Sequence, residues 1–313
     1  MGLRPVPCNL CKTDDSRLLL RVKRSQDHFT LRKCRRCGLV FLNPRPESED
    51  LARYYAEHYD YDGFRRDRES LINRCRGDLD WIRKFKPKGS LLEVGCMYGF
   101  LLALARDAGF DCHGVEISKK VATHAREELH LDVHAGALES AHFPEGSFDV
   151  VFMSHVIEHL EDPLGALEKT VSLLKKDGVL LLKCPNFDSL MARITRHGWW
   201  WIAPPEHLYH FTPRSLGKSL GRAGFRKVTV ETSRGDLSYL RYLTVGILKL
   251  LPVTKGFKAR YRATIDATPD HLSQRYLLSA YNACGPLVRV IHKLRLGEEM
   301  LVVASMEHEG PSG

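Results

Sequence analysis

The chain has 313 residues, a hydrophobic fraction of 43% and a formal net charge of +9. This length and apolar content allow one large hydrophobic core together with a small additional module. The sequence contains no internal repeat, no low-complexity tract and no run of eighteen apolar residues, which argues against a repeat protein and against a membrane-spanning helix. The opening residues lack a hydrophobic signal core, so we expect a cytoplasmic protein.

Two C-x-x-C pairs come first along the chain, Cys8 with Cys11 and Cys34 with Cys37. Each pair offers two thiolates to one ion, and four sulfurs describe a closed structural zinc site. Two disulfides or four unligated cysteines are the alternatives, although adjacent C-x-x-C pairs form mutual disulfides poorly. We therefore predict a zinc ribbon over residues 1–45. The five remaining cysteines stand in apolar settings typical of small core residues: Cys75, Cys96, Cys112, Cys184 and Cys284.

The predicted ribbon is strongly basic. Such a surface could bind phosphate groups, including those of a nucleic acid, although only Phe29 interleaves the charges as an aromatic. A solvated ribbon whose loops need charge is the alternative. The basic residues concerned are Arg21, Lys23, Arg24, Arg32, Lys33, Arg35 and Arg36.

Residues 46–88 form the next part, after a proline-rich linker at residues 43–46. The polar-rich stretches 47–59 and 65–85 each place apolar residues on one side, which predicts two helices that cover the cofactor pocket or the sheet edge. Four crowded tyrosines are candidates for a place near the cofactor or acceptor, with ordinary packing as the alternative: Tyr54, Tyr55, Tyr59 and Tyr61.

Residues 91–99 read LLEVGCMYG, an apolar run that ends in a tight turn before an apolar helix. Glycine is needed where backbone passes close to a ligand, and the helix start offers free N–H groups. A second apolar stretch ends at Glu116, where a carboxylate can accept from both ribose hydroxyls. The G-x-G-x-x-G pattern of a nicotinamide site is poorly matched, because Met97 and Phe100 replace two of its glycines.

Residues 93–99, with SFDVVFMSHVIEHLEDP at 147–163 and LLKKDGVLLLKCPN at 173–186, resemble class I S-adenosylmethionine-dependent methyltransferases. The chain departs from that pattern at Met97 and at Ala137, where many members have an acid for the adenine. The resemblance implies S-adenosylmethionine as cofactor. The residues it assigns to cofactor binding are Glu93, Gly95, Cys96, Gly99, Glu116, Ile117, Ala137, Leu138, Ser154 and His155.

The resemblance also implies an α/β fold, a doubly wound, mostly parallel seven-stranded sheet. We expect strands at about 90–95, 111–116, 131–135, 148–153 and 178–183, with a helix ending at Gly178, a capped helix from Thr212 to Gly224 and a sixth strand at 226–232. The methyltransferase core would span 89–234. A helical insertion at 235–297, either an acceptor cap or an amphipathic membrane-surface helix, precedes the last strand and tail at 298–313.

Catalytic groups are expected at the carboxyl ends of the fourth and fifth strands. His155 follows the fourth strand, and His207 and His210 lie in a tryptophan-rich loop at residues 198–212. We predict His207 as general base, since an imidazole can take a proton from a hydroxyl at neutral pH, with His155 and His210 as the other catalytic candidates. As an alternative, His155-x-x-Glu158-His159 resembles the divalent site of some RNA 2'-O-methyltransferases and quinone-precursor O-methyltransferases.

Three functions remain open from the sequence. The ribbon followed by CGLVFLNPRP at residues 37–46 resembles bacterial enzymes of sugar and natural-product tailoring, which implies methylation, most simply O-methylation, of a small-molecule, sugar or lipid-linked acceptor. An RNA methyltransferase that uses the basic ribbon is the second reading. A protein that binds the cofactor without turnover is the third, because of the departures at Met97 and Ala137.

Overall fold

The computed structural model describes residues 2–24, 27–58, 68–233 and 290–306. The first part contains β1 (Leu3–Arg4), β2 (Ser16–Arg24), β3 (Asp27–Cys34), β4 (Val40–Leu42), β5 (Arg45–Pro46) and α1 (Ser48–His58). Next come α2 (Arg68–Arg83), β6 (Gly89–Val94), α3 (Phe100–Asp107), β7 (Phe110–Glu116), α4 (Lys119–Leu129) and β8 (Asp132–Ala135). The remainder contains β9 (Phe148–Ser154), α5 (Pro163–Leu173), β10 (Leu174–Pro185), α6 (Leu190–Thr195), β11 (Tyr209–His210), α7 (Pro213–Ala223), β12 (Lys227–Ser233) and β13 (Glu299–Ser305).

The large sheet has seven strands in the order β12-β13-β10-β9-β6-β7-β8. The five strands from β10 to β8 are parallel, and β13 runs antiparallel between β10 and β12. This confirms the predicted doubly wound fold and the place of the last strand. After β6 the chain forms β7 on one side of β6, and later in the sequence it forms β9 on the opposite side of β6. Ligands of such sheets bind in the crevice beside this reversal.

Local sequence signals fix several element ends. The Thr212 hydroxyl accepts a hydrogen bond from the Ser215 amide, and Gly224 ends α7 with a φ of 117°, which confirms the predicted cap and stop. The helix end predicted at Gly178 is wrong. Helix α5 ends at Leu173, and β10 begins at once with an irregularity between Leu174 and Val179. Gly178 lies within it, where a Cβ would stand 2.9 Å from the carbonyl oxygen of Phe148, so the glycine serves a close backbone approach.

The small sheet has the strand order β11-β4-β3-β2. Its outer strand β11 comes from the tryptophan-rich loop and pairs Tyr209 with Phe41. The buried side chains of this sheet, including Leu31 and Phe41, belong to the same continuous hydrophobic cluster as those of β9 and β10. The cysteine-rich segment therefore packs against the large sheet and shares its hydrophobic core.

Several predictions lie partly or wholly outside the described residues. They concern most of the 235–297 insertion, Tyr59, Tyr61 and Cys284. Within the part of the chain that the structure describes, no helix is both long and apolar enough to cross a membrane.

Candidate functional site

The loop after β6 is the predicted cofactor turn. Gly95 and Gly99 have left-handed backbone, with φ of 74° and 76°, and a Cβ would collide with Val156 at the first and with Leu131 at the second. Both positions therefore require glycine. Met97 also has a positive φ, 47°, so the loop keeps a left-handed turn at the position where the family pattern has a further glycine. Helix α3 begins directly after the turn and brings its unbonded N–H groups beside it.

Glu116 ends β7 next to this loop and is buried. Its carboxylate oxygens accept hydrogen bonds from the backbone N–H groups of Met97, at 3.0 Å, and Ser118, at 2.8 Å. Burial raises the pKa of Glu116, and these hydrogen bonds oppose the shift. A carboxylate can accept about four hydrogen bonds, so Glu116 keeps capacity for the two ribose hydroxyls.

The predicted adenine contacts divide into side-chain and backbone contributions. Ile117 is 66% exposed, and this apolar side chain is available to cover a purine ring. Ala137 is also exposed. It lies beside Ile117, because the amide of Gly136 donates to the Glu116 carbonyl at 2.9 Å. By contrast, the side chains of Leu138 and Cys96 are packed in the core. Leu138 and Cys96 can therefore offer only their backbone groups to a bound cofactor.

Glu93 lies within β6 and is almost fully buried. Burial raises the pKa of Glu93 well above its usual range, and the carboxylates of Asp78 and Glu116 add to the shift. Its Oε2 atom has no hydrogen-bond partner among the described residues. A buried carboxylate without a partner requires a donor or a cation. The ammonium and sulfonium groups of S-adenosylmethionine are such groups, so the residues present fit that cofactor.

His155 directly follows Ser154, the last residue of β9, and has a left-handed backbone, with φ of 54°. Its Nε2 atom lies 2.8 Å from Glu299 Oε1, and its Nδ1 atom lies 3.4 Å from Glu158 Oε1. Burial alone would lower the pKa of His155, but the two carboxylates outweigh it and raise the pKa to about 10. The imidazole is therefore a cation at neutral pH. It stacks on Trp201, with ring centroids 4.9 Å apart.

His207 has the opposite electrostatic surroundings. It is buried, and its Nδ1 atom lies 2.8 Å from the Trp201 carbonyl oxygen. Because a carbonyl can only accept, Nδ1 carries the proton and Nε2 keeps a lone pair. Burial lowers the pKa of His207 well below its usual range, and His159 and His210 add to the effect. The imidazole is therefore neutral at neutral pH, and its Nε2 atom keeps a lone pair.

His210 and His159 flank His207. Burial lowers the pKa of His210 to about 3, and neither of its ring nitrogens has a partner within the described ranges. Burial also lowers the pKa of His159, whose Nδ1 atom lies 3.0 Å from the Tyr55 hydroxyl. Tyr54, beside it on α1, donates to Glu206 at 2.7 Å. Two of the four predicted tyrosines thus lie at this histidine cluster.

Three of these residues form a candidate metal centre. Glu158, His159 and His207 each offer a ligand atom, and these atoms lie within 4.8 Å of one another. Both carboxylate oxygens of Glu158 are buried and accept no hydrogen bond in the part of the chain described here, and Oε1 has the His155 imidazole 3.4 Å away as an ion-pair partner. His155, the first residue of the motif predicted from the sequence, does not belong to this group. Its place is taken by His207, from a distant loop.

The second metal centre is the predicted cysteine cluster. The sulfur atoms of Cys8, Cys11, Cys34 and Cys37 lie within 4.8 Å of one another, and no disulfide joins the described cysteines. Sulfurs bound to one tetrahedral zinc ion lie about 3.8 Å apart, given Zn–S bonds of about 2.3 Å. Burial and the neighbouring thiols raise the pKa of Cys11 to about 11, as expected where thiols crowd together without a cation. The cluster fits a structural zinc ion.

Comparison with known proteins decides the family. The family model described as "Methyltransferase domain" matches residues 61–230, which include the turn at Gly95, the end of β9 and the histidine loop. The chain belongs to this family. The protein is a class I S-adenosylmethionine-dependent methyltransferase with the Rossmann-like sheet described above.

Curated relatives share the core at moderate identity. The rat mitochondrial arginine-hydroxylase NDUFAF5 is 29% identical over 179 residues, 53% of this chain and 49% of the relative. The ubiquinone biosynthesis O-methyltransferase of Xanthomonas campestris is 28% identical over 161 residues, 46% of this chain and 67% of the relative. The chain thus spans about half of the first of these relatives and about two thirds of the second.

Solved structures agree on the fold. A methyltransferase from Archaeoglobus fulgidus aligns with a TM-score of 0.50 at 23% identity, covering 78% of this chain and 99% of that one. Phosphoethanolamine N-methyltransferase 2 of Haemonchus contortus aligns with a TM-score of 0.53 at 14% identity, covering 93% and 71%. At these identities the likeness concerns the fold alone.

Proposed function

We propose that this methyltransferase acts on a hydroxyl oxygen of a small-molecule, sugar or lipid-linked acceptor, with His207 as general base. The observation that carries the proposal is the state of His207. Its imidazole is buried, donates Nδ1–H to the Trp201 carbonyl and has a lowered pKa. A neutral imidazole with a free Nε2 atom can take a proton from a hydroxyl. A neutral amine acceptor depends less on such a base, because its nitrogen lone pair can attack before any proton is removed.

The other two catalytic candidates suit the role less well. His155 is held as a cation between Glu158 and Glu299, and a cationic imidazole has no lone pair to accept a further proton. His210 is also neutral, but neither of its ring nitrogens has a partner among the described residues that fixes its tautomer, whereas the Trp201 carbonyl fixes that of His207. His155 instead orders the site, because it stacks on Trp201 and joins β9 to β13.

The chain supplies binding, orientation and proton removal. Glu93 and Glu116 are the residues that would hold S-adenosylmethionine, which when bound supplies an activated methyl group. The acceptor hydroxyl would give its proton to Nε2 of His207. The acceptor oxygen would take the methyl group from the bound cofactor, which would leave as the neutral thioether. Trp201 stacks on His207, and Tyr55 contacts the neighbouring His159. In this proposal these rings limit the access of water to the reacting oxygen.

The direct experiment offers several classes of unlabelled acceptor, together with a labelled cofactor, to the purified chain. S-adenosylmethionine with a carbon-13 methyl group is incubated with hydroxylated small molecules, sugars, lipid-linked sugars and structured RNA. We expect a methyl group bonded to oxygen in one of the first three classes, in line with the name of the Xanthomonas relative. Label on nitrogen or carbon in every labelled product would overturn the proposed chemistry.

RNA is the second candidate acceptor, favoured by the exposed basic side chains on β2 and after β3. Four of them are exposed without an ion pair within the described ranges: Arg17, Arg21, Lys23 and Arg36. Others are engaged, since Arg32 donates to Ser16 and Arg35 pairs with Asp15. A salt series separates the candidates, because affinity for phosphate contacts falls steeply with ionic strength whereas affinity for a neutral acceptor does not.

A divalent ion at Glu158, His159 and His207 is a second mechanism for the same reaction. The Oε2 atom of Glu158, which is buried and has no hydrogen-bond partner among the described residues, favours it. A bound ion would take the Nε2 lone pair of His207 and would itself lower the pKa of the acceptor hydroxyl. Metal analysis of wild type and Glu158→Gln decides between the mechanisms. One ion fewer per chain in the variant supports the metal, whereas equal contents leave His207 as the base.

We also propose that Cys8, Cys11, Cys34 and Cys37 hold one structural zinc ion. The support is the sulfur spacing and the absence of a disulfide among the described cysteines. Four protein ligands leave no open position for substrate, so this ion takes no part in catalysis.

A further inference from the structure

The cysteine cluster and the histidine loop are physically joined. Cys34 and Cys37 form the turn directly before β4, where the Cys34 amide donates to the Leu39 carbonyl at 2.9 Å. Strand β4 pairs with β11, which contains His210, and the Leu42 amide donates to the Leu208 carbonyl at 2.8 Å. One short strand pair thus leads from the metal ligands to the residues beside the catalytic base.

The other side of the histidine loop is attached to the end of β9. The carbonyl oxygen of Glu158 accepts hydrogen bonds from the amides of Leu208, at 2.9 Å, and Tyr209, at 3.1 Å. Strand β11 has only two residues, too few to be stable alone. The position of His207 therefore depends on β4 on one side and on Glu158 on the other.

Arg45 lies at the junction of these parts. It is 8% exposed, and its Nη1 atom donates to the Glu161 carbonyl at 2.9 Å and to the Tyr209 hydroxyl at 3.3 Å. Its Nη2 atom donates to the Glu161 carboxylate at 3.1 Å. The Tyr209 hydroxyl donates in turn to the same Glu161 carbonyl, at 3.1 Å. A buried guanidinium with several fixed acceptors is a rigid connection.

A second connection comes from the first cysteine knuckle. Asn9, between Cys8 and Cys11, accepts from the Leu164 amide at 3.0 Å and donates to Asp162 at 2.6 Å. Leu164 lies in the first turn of α5, so a residue of the metal knuckle satisfies a free amide of a core helix. Both knuckles are therefore tied to the segment that follows β9.

We propose that the cysteine-rich module forms the acceptor-side wall of the active site, with Arg45 as a positioning residue that holds the His207 loop against the end of β9. This inference rests on the proposed function only in assigning that wall to the acceptor side of the site. The module's role is then to orient the catalytic base, and its basic surface is secondary. Binding of the structural ion would order β4 and, through β4, the loop of His207 and His210.

The test compares Arg45→Met with Arg4→Met in the full, zinc-loaded chain. Arg4 is the matched control, because it also contacts the Glu161 carboxylate, at 2.9 Å, but contacts no residue of the 207–210 loop in the described structure. Hydrogen exchange is measured at the amides of Leu208 and Tyr209. We expect exchange about tenfold faster in Arg45→Met than in wild type, since the loop opens locally, and unchanged exchange in Arg4→Met.

A second readout separates positioning from general stability. Nitrogen-15 imidazole spectra report which His207 nitrogen carries the proton. In Arg45→Met we expect the fixed Nδ1–H tautomer to give way to a mixture, with zinc content and cofactor affinity retained. Wild-type exchange and a fixed tautomer in Arg45→Met would overturn the proposal. Should that variant fail to fold, Tyr209→Phe removes only the hydroxyl, and unchanged exchange there would overturn it equally. Neither readout requires methyl transfer, so failure of the proposed function would be seen separately.

Discussion

His155 Nε2 and Glu299 Oε1 lie 2.8 Å apart and join the end of β9 to the first residue of β13. The two residues are 144 positions apart in the chain. With Glu158 on the other side, this contact holds the pKa of His155 at about 10 despite burial. His155 is thereby a fixed cation stacked on Trp201, and His207, whose ring also stacks with that tryptophan, is left neutral. Environments that separate the pKa values of neighbouring groups are typical of catalytic sites.

The His155 ion pair predicts a loss of stability in alkali. Because the folded-state pKa is raised, the contribution is fully present below pH 6.5 and is lost as the pH rises toward about 10. We expect the free energy of unfolding to fall by on the order of 2 kcal/mol across this window, allowing for screening by solvent. Urea unfolding of wild type and His155→Gln is the measurement. An equal decline in both proteins would contradict the assignment.

His210 predicts the opposite behaviour in acid. Its pKa is lowered by burial to about 3, so its contribution is present above pH 6.5 and is lost as the pH falls through this range. Replacement by Phe, which can pack against Phe187 as the imidazole does, should reduce the acid slope of the unfolding free energy by up to about 1.4 kcal/mol per pH unit. The exposed His197 gives the control variant, His197→Gln. A slope unchanged in His210→Phe would show that the ring is protonated in the folded protein.

Glu116 predicts cofactor affinity. Glu116→Gln keeps the side-chain size but removes the charge that strengthens hydrogen bonds from ribose hydroxyls. We expect S-adenosylmethionine to bind about 10- to 100-fold more weakly, measured by calorimetry. Glu139→Gln, an exposed residue near the same sheet edge, is the control and should bind normally. A change of less than twofold in Glu116→Gln would remove this residue from the cofactor site.

The cysteine cluster predicts metal content. Cys8→Ser and Cys34→Ser should each lose the zinc ion, because three thiolates and a hydroxyl leave the shell incomplete. Since the module shares one hydrophobic cluster with the core, we also expect the unfolding temperature of the whole chain to drop. Cys112→Ser, outside the cluster, controls for thiol loss. Full zinc content in both knuckle variants would disprove the site.

The sequence was sufficient for the parts of the fold that local rules determine. Alternating apolar strands and helices predicted the parallel strands of the large sheet, and the resemblance to class I methyltransferases predicted a last strand after the long insertion. The cap at Thr212 and the stop at Gly224 follow from side-chain chemistry within one turn. The helix end at Gly178 was mispredicted, because the glycine is required by the carbonyl of Phe148 on a neighbouring strand. Such a contact leaves no local signal.

The candidate site could be predicted only in part for the same reason. The positions of Glu116 and His155 follow from strand ends, which parallel topology brings to one edge. Glu299 was missed as a partner, although a charge that opens an otherwise apolar strand was a signal available in the sequence. The stacking of Trp201 with both His155 and His207 depends on how the loop at residues 198–212 folds. The pairing of β4 with β11 likewise joins residues too distant for any local pattern to predict.

The central claim is that His207 is the base for methyl transfer to oxygen. Its most direct test is the pH dependence of turnover in wild type and His207→Gln. The acceptor used is the one found by methyl labelling. We expect unchanged cofactor affinity, turnover lower by roughly 10² to 10⁴ in the variant, and a wild-type rate that rises with pH through a pKa below that of an ordinary histidine, because burial lowers it. Full turnover in His207→Gln, or a wild-type rate that does not change with pH in this acidic range, would contradict the account.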